Sequence, residues 1–182
     1  MSRWLWTMLA GLGLGFAPLL AQETEPGTAE VTGFAGFVSG IGTHGTIGGD
    51  LAYARTKRLL LVGEFAFIPA GSEAAGVVKA SAKAYDFNGG IHYQFKIKEP
   101  KAVPYVAGGL GVLHSTGSVK VSGFGGAFSQ SASATDFYLN FGGGLRYYIS
   151  DHWGIRPELK IYAGDDTFMR LAIGIFYQFG KR

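Results

Sequence analysis

Residues 84–97 read AYDFNGGIHYQFKI. From Tyr85 to Ile97 every second residue is aromatic, aliphatic or glycine, and the residues between them are largely polar or small. Because successive side chains of a β-strand point to opposite faces, this alternation predicts a strand with one oily and one polar face. The segment is longer than the roughly 5–6 residues usual in globular proteins and long enough for the about 9–11 residues of a tilted membrane-crossing strand.

The same alternation recurs along the chain. It is clear in residues 135–150, 153–162 and 169–179 and weaker in residues 29–39, 47–55, 58–68 and 104–114. With residues 84–97 this makes eight predicted strands, an even number as in single-chain bacterial barrels. We therefore predict an all-β fold, an eight-stranded antiparallel up-and-down transmembrane β-barrel. Pro157 conflicts with the pattern because it removes a ladder hydrogen bond, and we expect a bulge or a local break there.

The connections between the predicted strands differ in length. Short ones lie at 55–58, 98–103 and 150–152, and longer ones, rich in Gly, Ser and Ala, lie at 69–81 and 115–134. Short turns are typical of the periplasmic side of a barrel and longer connections of the outside, so we expect the two long segments to be rim loops that contact partners. Within the second, residues 123–128 (GFGGAF) either make an exposed aromatic contact or extend the strands.

Residues 1–21 are interpreted as a secretory signal peptide that precedes a barrel domain at residues 22–182. Arg3 supplies a positive start, residues 4–20 are almost wholly apolar, and Ala21 provides a small residue before the cut. This layout is typical of export signals. The apolar stretch is short for a membrane-spanning helix, which needs about 20 residues. An uncleaved anchor helix is the alternative.

The composition excludes several classes of site. The 182 residues include no cysteine, which rules out disulfides, thiolate metal ligands and a cysteine nucleophile. Only 16% of the residues are charged, against about 25% in an ordinary soluble domain. The net charge of +3 is too small to indicate nucleic acid as a partner. No metal-ligand spacing is present, and we expect neither a metal nor a cofactor.

The charged residues of the polar strand faces are predicted to lie in the barrel lumen. They are Glu64, Asp86, Asp136, Arg146, Arg156, Glu158, Lys160 and Arg170, and His92 also falls on a lumen face. These side chains form either a polar pathway or a network of ion pairs that plugs the barrel. The network is favoured because eight strands leave little room for a pore and charges away from bulk water must be paired. A second set, aromatic residues near strand ends, is predicted to lie at the membrane interfaces: Tyr93, Phe95, Tyr147, Trp153, Tyr177 and Phe179.

Three stretches carry a resemblance to a known family. They are residues 104–111 (PYVAGGLG), residues 141–162 (FGGGLRYYISDHWGIRPELKIY) and the closing aromatic strand. In these, the chain resembles the small outer-membrane β-barrels of OmpA/OmpX type. The resemblance implies a location in the bacterial outer membrane, with membrane lipid and the barrel-insertion machinery as partners. The family's last strand typically ends on an aromatic residue that this machinery recognises; here that is Phe179, followed by Gly180, Lys181 and Arg182.

The expected function is that of a monomeric, non-enzymatic integral barrel with a structural or surface-interaction role. Two alternatives remain. The first is a periplasmic lipocalin-like binder of a small apolar ligand, with the oily face turned inward. The second is a lipid-modifying enzyme, since some small outer-membrane barrels deacylate lipid A with a His/Ser/acid arrangement. That alternative requires His114 to meet a serine and an acid on the outer face. The adjacent Ser115 is poorly placed to be that serine, because neighbouring residues of a strand point to opposite faces.

Overall fold

The computed structural model describes residues 24–40, 42–75, 78–95, 101–123 and 126–179. Eight antiparallel strands pair in chain order, and the last returns to the first to close a barrel. The strands are β1 (Ala29–Ser39), β2 (His44–Ala54), β3 (Leu59–Ala75), β4 (Val78–Gln94), β5 (Ala102–Gly123), β6 (Gly126–Tyr148), β7 (Trp153–Ala163) and β8 (Thr167–Phe179). This architecture confirms the predicted fold class. One chain closes the whole barrel.

The alternation of the sequence becomes an alternation of exposure. Along β8 every even-numbered residue from Phe168 to Gln178 is buried and every odd-numbered residue is exposed. Ile175 is 64% exposed, for example, whereas its neighbour Phe176 is fully buried. The aliphatic and aromatic residues therefore cover the outside of the barrel. This orientation is the reverse of the one that the lipocalin-like alternative requires. Among the described residues, no helix is long and apolar enough to span a membrane.

Four strands are longer than expected. The segments 69–81 and 115–134, predicted to be rim loops, lie largely within β3–β4 and β5–β6, which pair out to Ala75↔Val78 and Gly123↔Gly126. The loop prediction was wrong because small residues have weak local strand preference, whereas the long-range ladder holds them extended. Residues 124 and 125, part of the predicted aromatic contact, lie outside the described residues, as does the predicted signal peptide at residues 1–21.

These extensions form a four-stranded sheet that projects beyond the barrel, which we call the protruding sheet. It comprises residues 69–75, 78–83, 114–123 and 126–136. The neighbouring strands do not accompany it, since β2 pairs with β3 only as far as Ile47↔Phe67 and β7 pairs with β6 only as far as Leu139↔Ala163. The protruding sheet lies at the end of the barrel opposite the start of β1 and the end of β8.

Pro157 produces the expected local break. The ladder between β6 and β7 is interrupted between Gly144↔Glu158 and Tyr147↔Ile155, and it resumes in the same register, without a bulge. The carbonyl of Trp153 points toward β6, because it accepts a hydrogen bond from the N–H of Ile149. Along a strand, the N–H and C=O groups of every second residue point in the same direction. The nitrogen of Pro157 therefore faces β6, where its missing N–H leaves the gap.

Two glycines make room inside the barrel for tyrosine rings. A Cβ on Gly144 would lie 2.6 Å from the hydroxyl of Tyr105, and a Cβ on Gly111 would collide with the hydroxyl of Tyr138. Both hydroxyls take part in the polar contacts described below. These two glycines thus relieve crowding inside the barrel.

Candidate functional site

A layer of charged side chains crosses the interior of the barrel, and we call it the charged layer. Its cations come from three adjacent strands, β6, β7 and β8, and its carboxylates come mainly from β1 to β4. The cations are Arg146, Arg156, Lys160 and Arg170, each at most 2% exposed. The carboxylates are Glu30, Asp50, Glu64, Asp86 and Glu158, all buried. Closure of the sheet brings the two sets face to face, so most pairs join residues far apart in the chain.

One half of the charged layer is built around two glutamates. Lys160 Nζ lies 2.7 Å from Glu64 Oε2 and 3.4 Å from Glu158 Oε1. The Arg170 guanidinium reaches the same carboxylates, at 2.7 Å from Glu64 Oε1 and 3.0 Å from Glu158 Oε1. Each cation therefore bridges both glutamates, and each glutamate is shared by two cations.

The other half is built around two arginines. Arg156 binds the carboxylate of Asp50 and lies 3.3 Å from Glu30 Oε1. The same oxygen of Glu30 accepts a hydrogen bond of 3.0 Å from Arg146 Nη2. The guanidinium of Arg146 stands 4.8 Å from the centre of the Tyr105 ring, which adds a cation–π contact.

Neutral polar groups link the ion pairs into one network. Tyr105 donates a 2.6 Å hydrogen bond to Glu158 Oε2, and its ring stacks on His92 at 4.7 Å between centroids. The amide of Asn88 donates to Glu64 Oε1 at 2.9 Å and also approaches Asp86. In the described part of the chain, Asp86 accepts from Asn88 and from the Tyr138 hydroxyl and forms no ion pair.

Apolar and aromatic side chains cover the charged layer on both sides. Toward the protruding sheet, Tyr162 stacks on Phe168 with ring centroids 4.4 Å apart, and Tyr138 packs edge-on against both rings. Toward the termini, Tyr148 packs edge-on against Phe176 at 5.0 Å and donates to Gln178. The cavity beside Lys160 and His92 has a volume of about 10 Å³, room for about one water molecule.

The structure brings seven of the eight predicted lumen residues into the charged layer. The exception is Asp136, which is half-buried near the rim, beside Asp165 and Asp166 at a cavity of about 250 Å³. Sequence reasoning missed Glu30, Asp50 and Tyr105. The two carboxylates had a usable signal, since each alternates with apolar residues in β1 or β2, but the alternation there is weaker than in β4 or β8.

The six predicted interface aromatics all lie on the outside, at the end of the barrel that carries the termini. They are Tyr93, Phe95, Tyr147, Trp153, Tyr177 and Phe179, each partly exposed. Neighbours within this belt pack on each other, with ring centroids 5.3 Å apart for Tyr93 and Phe95 and 4.9 Å apart for Tyr177 and Phe179. Their role at a membrane interface stays a prediction.

The geometry at His114 differs from the one that the enzyme alternative requires. Its Nδ1 lies 2.8 Å from the hydroxyl of Thr135, on the outer face of the protruding sheet. Ser115, the adjacent serine, lines the rim cavity together with Asp136 instead. Within the described ranges, no three His, Asp or Glu side chains are grouped as a metal site.

The closed antiparallel barrel, its apolar exterior and its buried charges define a membrane-spanning β-barrel. Residues 7–179 match the family model described as outer membrane protein beta-barrel domain, and the chain belongs to that family. It is therefore an integral protein of the bacterial outer membrane, in contact with membrane lipid.

Solved structures of low sequence identity share the fold. The attachment invasion locus protein Ail of Yersinia pestis is 20% identical, with 86% of this chain and 100% of that chain covered and a TM-score of 0.59. A major outer membrane protein from Thermus thermophilus is 11% identical, with coverages of 83% and 99% and a TM-score of 0.64. The N-terminal β-barrel domain of Pseudomonas aeruginosa OprF is 18% identical, with coverages of 86% and 100% and a TM-score of 0.51. No curated protein matches the sequence.

Proposed function

We propose that this protein has a surface-interaction role, in which a closed barrel holds the protruding sheet outside the cell for contact with a partner. The observation that carries the proposal is the position of that sheet. Strands β3 to β6 extend beyond the barrel at the end opposite the termini. Outer-membrane barrels have short turns on the periplasmic side and longer connections outside, which supports an extracellular position for the sheet.

In this proposal the charged layer is a structural plug. Every cation of the layer has a buried carboxylate within 3.3 Å, and apolar side chains cover the layer on both sides. Opening a water path would separate paired charges and unstack the rings above them. A barrel of eight strands is also just wide enough for side chains to fill its interior.

We assign the protein no catalytic role. Nucleophilic catalysis needs a base within hydrogen-bond reach of the nucleophile, together with a third group that orients the base. The described hydrogen bond of His114 is to Thr135, and Ser115 lies on the other face of the strand. This geometry supports an interaction role over a lipid-modifying one.

The insertion machinery of the outer membrane is proposed as a transient partner during biogenesis. Phe179 is the last residue of β8 and is half-exposed on the outer surface. It pairs with Ala29 at the seam where the last strand meets the first. An aromatic side chain at this position is accessible while the barrel is still open.

Single-cysteine labelling in intact cells tests the surface position, because the chain has no native cysteine. Ser131→Cys places a thiol on the exposed β6 extension, and Lys57→Cys places one in the turn between β2 and β3, at the opposite end. A membrane-impermeant maleimide is expected to label Ser131→Cys in intact cells and Lys57→Cys only after permeabilisation. The opposite pattern would overturn the proposal.

A further inference from the structure

The protruding sheet has two open edges, because its outer strands extend past their barrel neighbours. One edge is the end of β3 beyond Phe67, and the other is the start of β6, before Leu139. In the described residues neither stretch has a partner strand on its open side. Unpaired N–H and C=O groups in such an edge are a template for pairing with another strand.

The β3 edge carries the features that usually prevent strand addition. Pro69 lacks an N–H, the register with β4 shifts between Pro69 and Ser72, and Gly71 has a φ of +91°. A proline and an irregularity of this kind twist an edge away from regular pairing. The open edge of β3 is therefore protected.

The β6 edge has none of these features between Ser129 and Thr135. This stretch reads SQSASAT, without charge or proline, and all seven residues are exposed. Its register with β5 is continuous along the whole strand. The edge is therefore regular, uncharged and accessible.

The direction of the backbone hydrogen bonds fixes which residues present their backbone at the open edge. At the far end of β6 the N–H of Tyr148 points to Lys101, beside β5, and the N–H of Ile149 points to Trp153 of β7. Because the direction alternates along a strand, the odd-numbered residues of β6 face the β7 side. Ser129, Ser131, Ser133 and Thr135 consequently each direct one N–H and one C=O outward from the sheet. These are the groups that an added strand would bond.

This edge is complementary to itself in the antiparallel direction. A two-fold axis at Ala132 would place Ser131 opposite Ser133, and Ser129 opposite Thr135, of the second copy. These are the positions that exchange backbone hydrogen bonds, so every outward N–H and C=O of the four residues would be satisfied. Hydroxyl side chains would meet across the axis on one face, a favourable cross-strand pairing, and no like charges would be opposed.

The symmetry also determines where the second copy sits. Two copies in one membrane have parallel β6 strands. A two-fold axis along these strands would place the N–H groups of one edge opposite the N–H groups of the other, and the C=O groups opposite C=O groups, so no hydrogen bonds could form. Antiparallel pairing through an isologous interface therefore requires an inverted second copy. An inverted copy belongs to a facing membrane.

We propose that β6 edges of two copies in facing outer membranes pair antiparallel around Ala132, so that the partner of this surface is a second copy of the same chain. The inference rests on the proposed extracellular position of the protruding sheet. The pairing of the two edges would extend a groove of about 740 Å³ on the protruding sheet. This groove is lined by Gln130, Ala132, Ala80, Ala82, Val119 and Val121. A two-fold axis perpendicular to the sheet keeps the grooves of both copies on one face.

Tethering of proteoliposomes that contain the full chain tests this pairing. Wild-type vesicles carrying donor and acceptor dyes are expected to associate with one another. Ala132→Lys vesicles and Ala132→Glu vesicles should each associate about tenfold less, because identical charges meet at the two-fold axis. A mixture of the Lys and Glu vesicles should regain tethering, because opposite charges then meet at the axis. Lys83→Glu, which changes the charge of an exposed β4 residue away from the edge and outside the groove, is the matched control and should tether as the wild type does.

The possible results separate the inference from the proposed function. Absence of wild-type tethering, or absence of rescue in the Lys/Glu mixture, would overturn the self-pairing even where Ser131→Cys is labelled from outside. A variant that fails to shift its gel mobility on boiling is unfolded. It is then replaced by the double variants Ser131→Lys/Ser133→Lys and Ser131→Glu/Ser133→Glu, which set like charges opposite each other across the axis and are judged by the same rescue. Binding of only an unrelated extended peptide to the edge would also overturn it.

Discussion

At the scale of single residues, Arg170 joins two glutamates of the charged layer. Its guanidinium contacts Glu64 and Glu158 and lies 4.4 Å from the centre of the Phe34 ring. A buried ion pair gives modest net stability, because desolvation opposes the attraction, but removal of one partner leaves an uncompensated buried charge. The stability of the interior thus depends on the completeness of the network.

Arg170→Met is accordingly expected to lower the free energy of unfolding by about 3–5 kcal/mol, since both glutamates lose a partner. Glu64→Gln in the same chain should recover part of that loss, because it removes one uncompensated charge. Urea unfolding in detergent or lipid, followed by the mobility shift on boiling, measures both. Lys57→Ala is the matched control, because the exposed 4.0 Å pair of Lys57 with Glu25 should contribute less than about 1 kcal/mol. Equal effects at positions 170 and 57 would contradict the role of the layer.

At the scale of strands, the length of each element follows from its partner as well as from its own sequence. Residues 29–39 were predicted with the bounds that β1 shows, because the alternation there ends where the pairing ends. β5 and β6 instead continue well past the predicted strand ends, although their extensions consist largely of small and polar residues. The unbroken ladder between these two strands holds both extended.

Pro157→Val tests the cause of the break between β6 and β7. The valine supplies an N–H that faces β6, so the interrupted ladder should close and stability should rise by about 0.5–1.5 kcal/mol. Hydrogen exchange measures this directly, because the new amide at position 157 is expected to be protected like those of the flanking residues. Rapid exchange of that amide would show that the break has another origin.

At the scale of the whole molecule, the barrel has the reverse distribution of apolar and charged side chains from that of a soluble protein. Its aliphatic and aromatic side chains face lipid, and its charges are collected in the interior. Lipid satisfies no backbone group, which makes closure of the sheet obligatory. The protruding sheet is free of this constraint, and its outer strands keep open edges there.

The filled interior predicts a barrel without ion conductance. Purified protein in a planar bilayer is expected to give no stepwise current, because paired charges and stacked rings occupy the lumen. The combined variant Tyr138→Ala/Tyr162→Ala/Phe168→Ala removes the aromatic cover on the side of the protruding sheet. It should remain closed as well, since none of these three residues takes part in the ion pairs of the charged layer below. Regular open-channel steps from the wild-type protein would contradict the plug.

The sequence by itself determined the strands of the barrel and the orientation of their faces, because both depend on a local period of two residues that is visible in stretches such as 84–97 and 169–179. It also indicated most charges of the interior. Only the tertiary structure decided which charges pair, because partners such as Glu64 and Arg170 are 106 residues apart and meet through closure of the sheet. The same long-range pairing decided that segments 69–81 and 115–134 are strands with one protected and one open edge, since register and neighbours are properties of the ladder rather than of a local pattern.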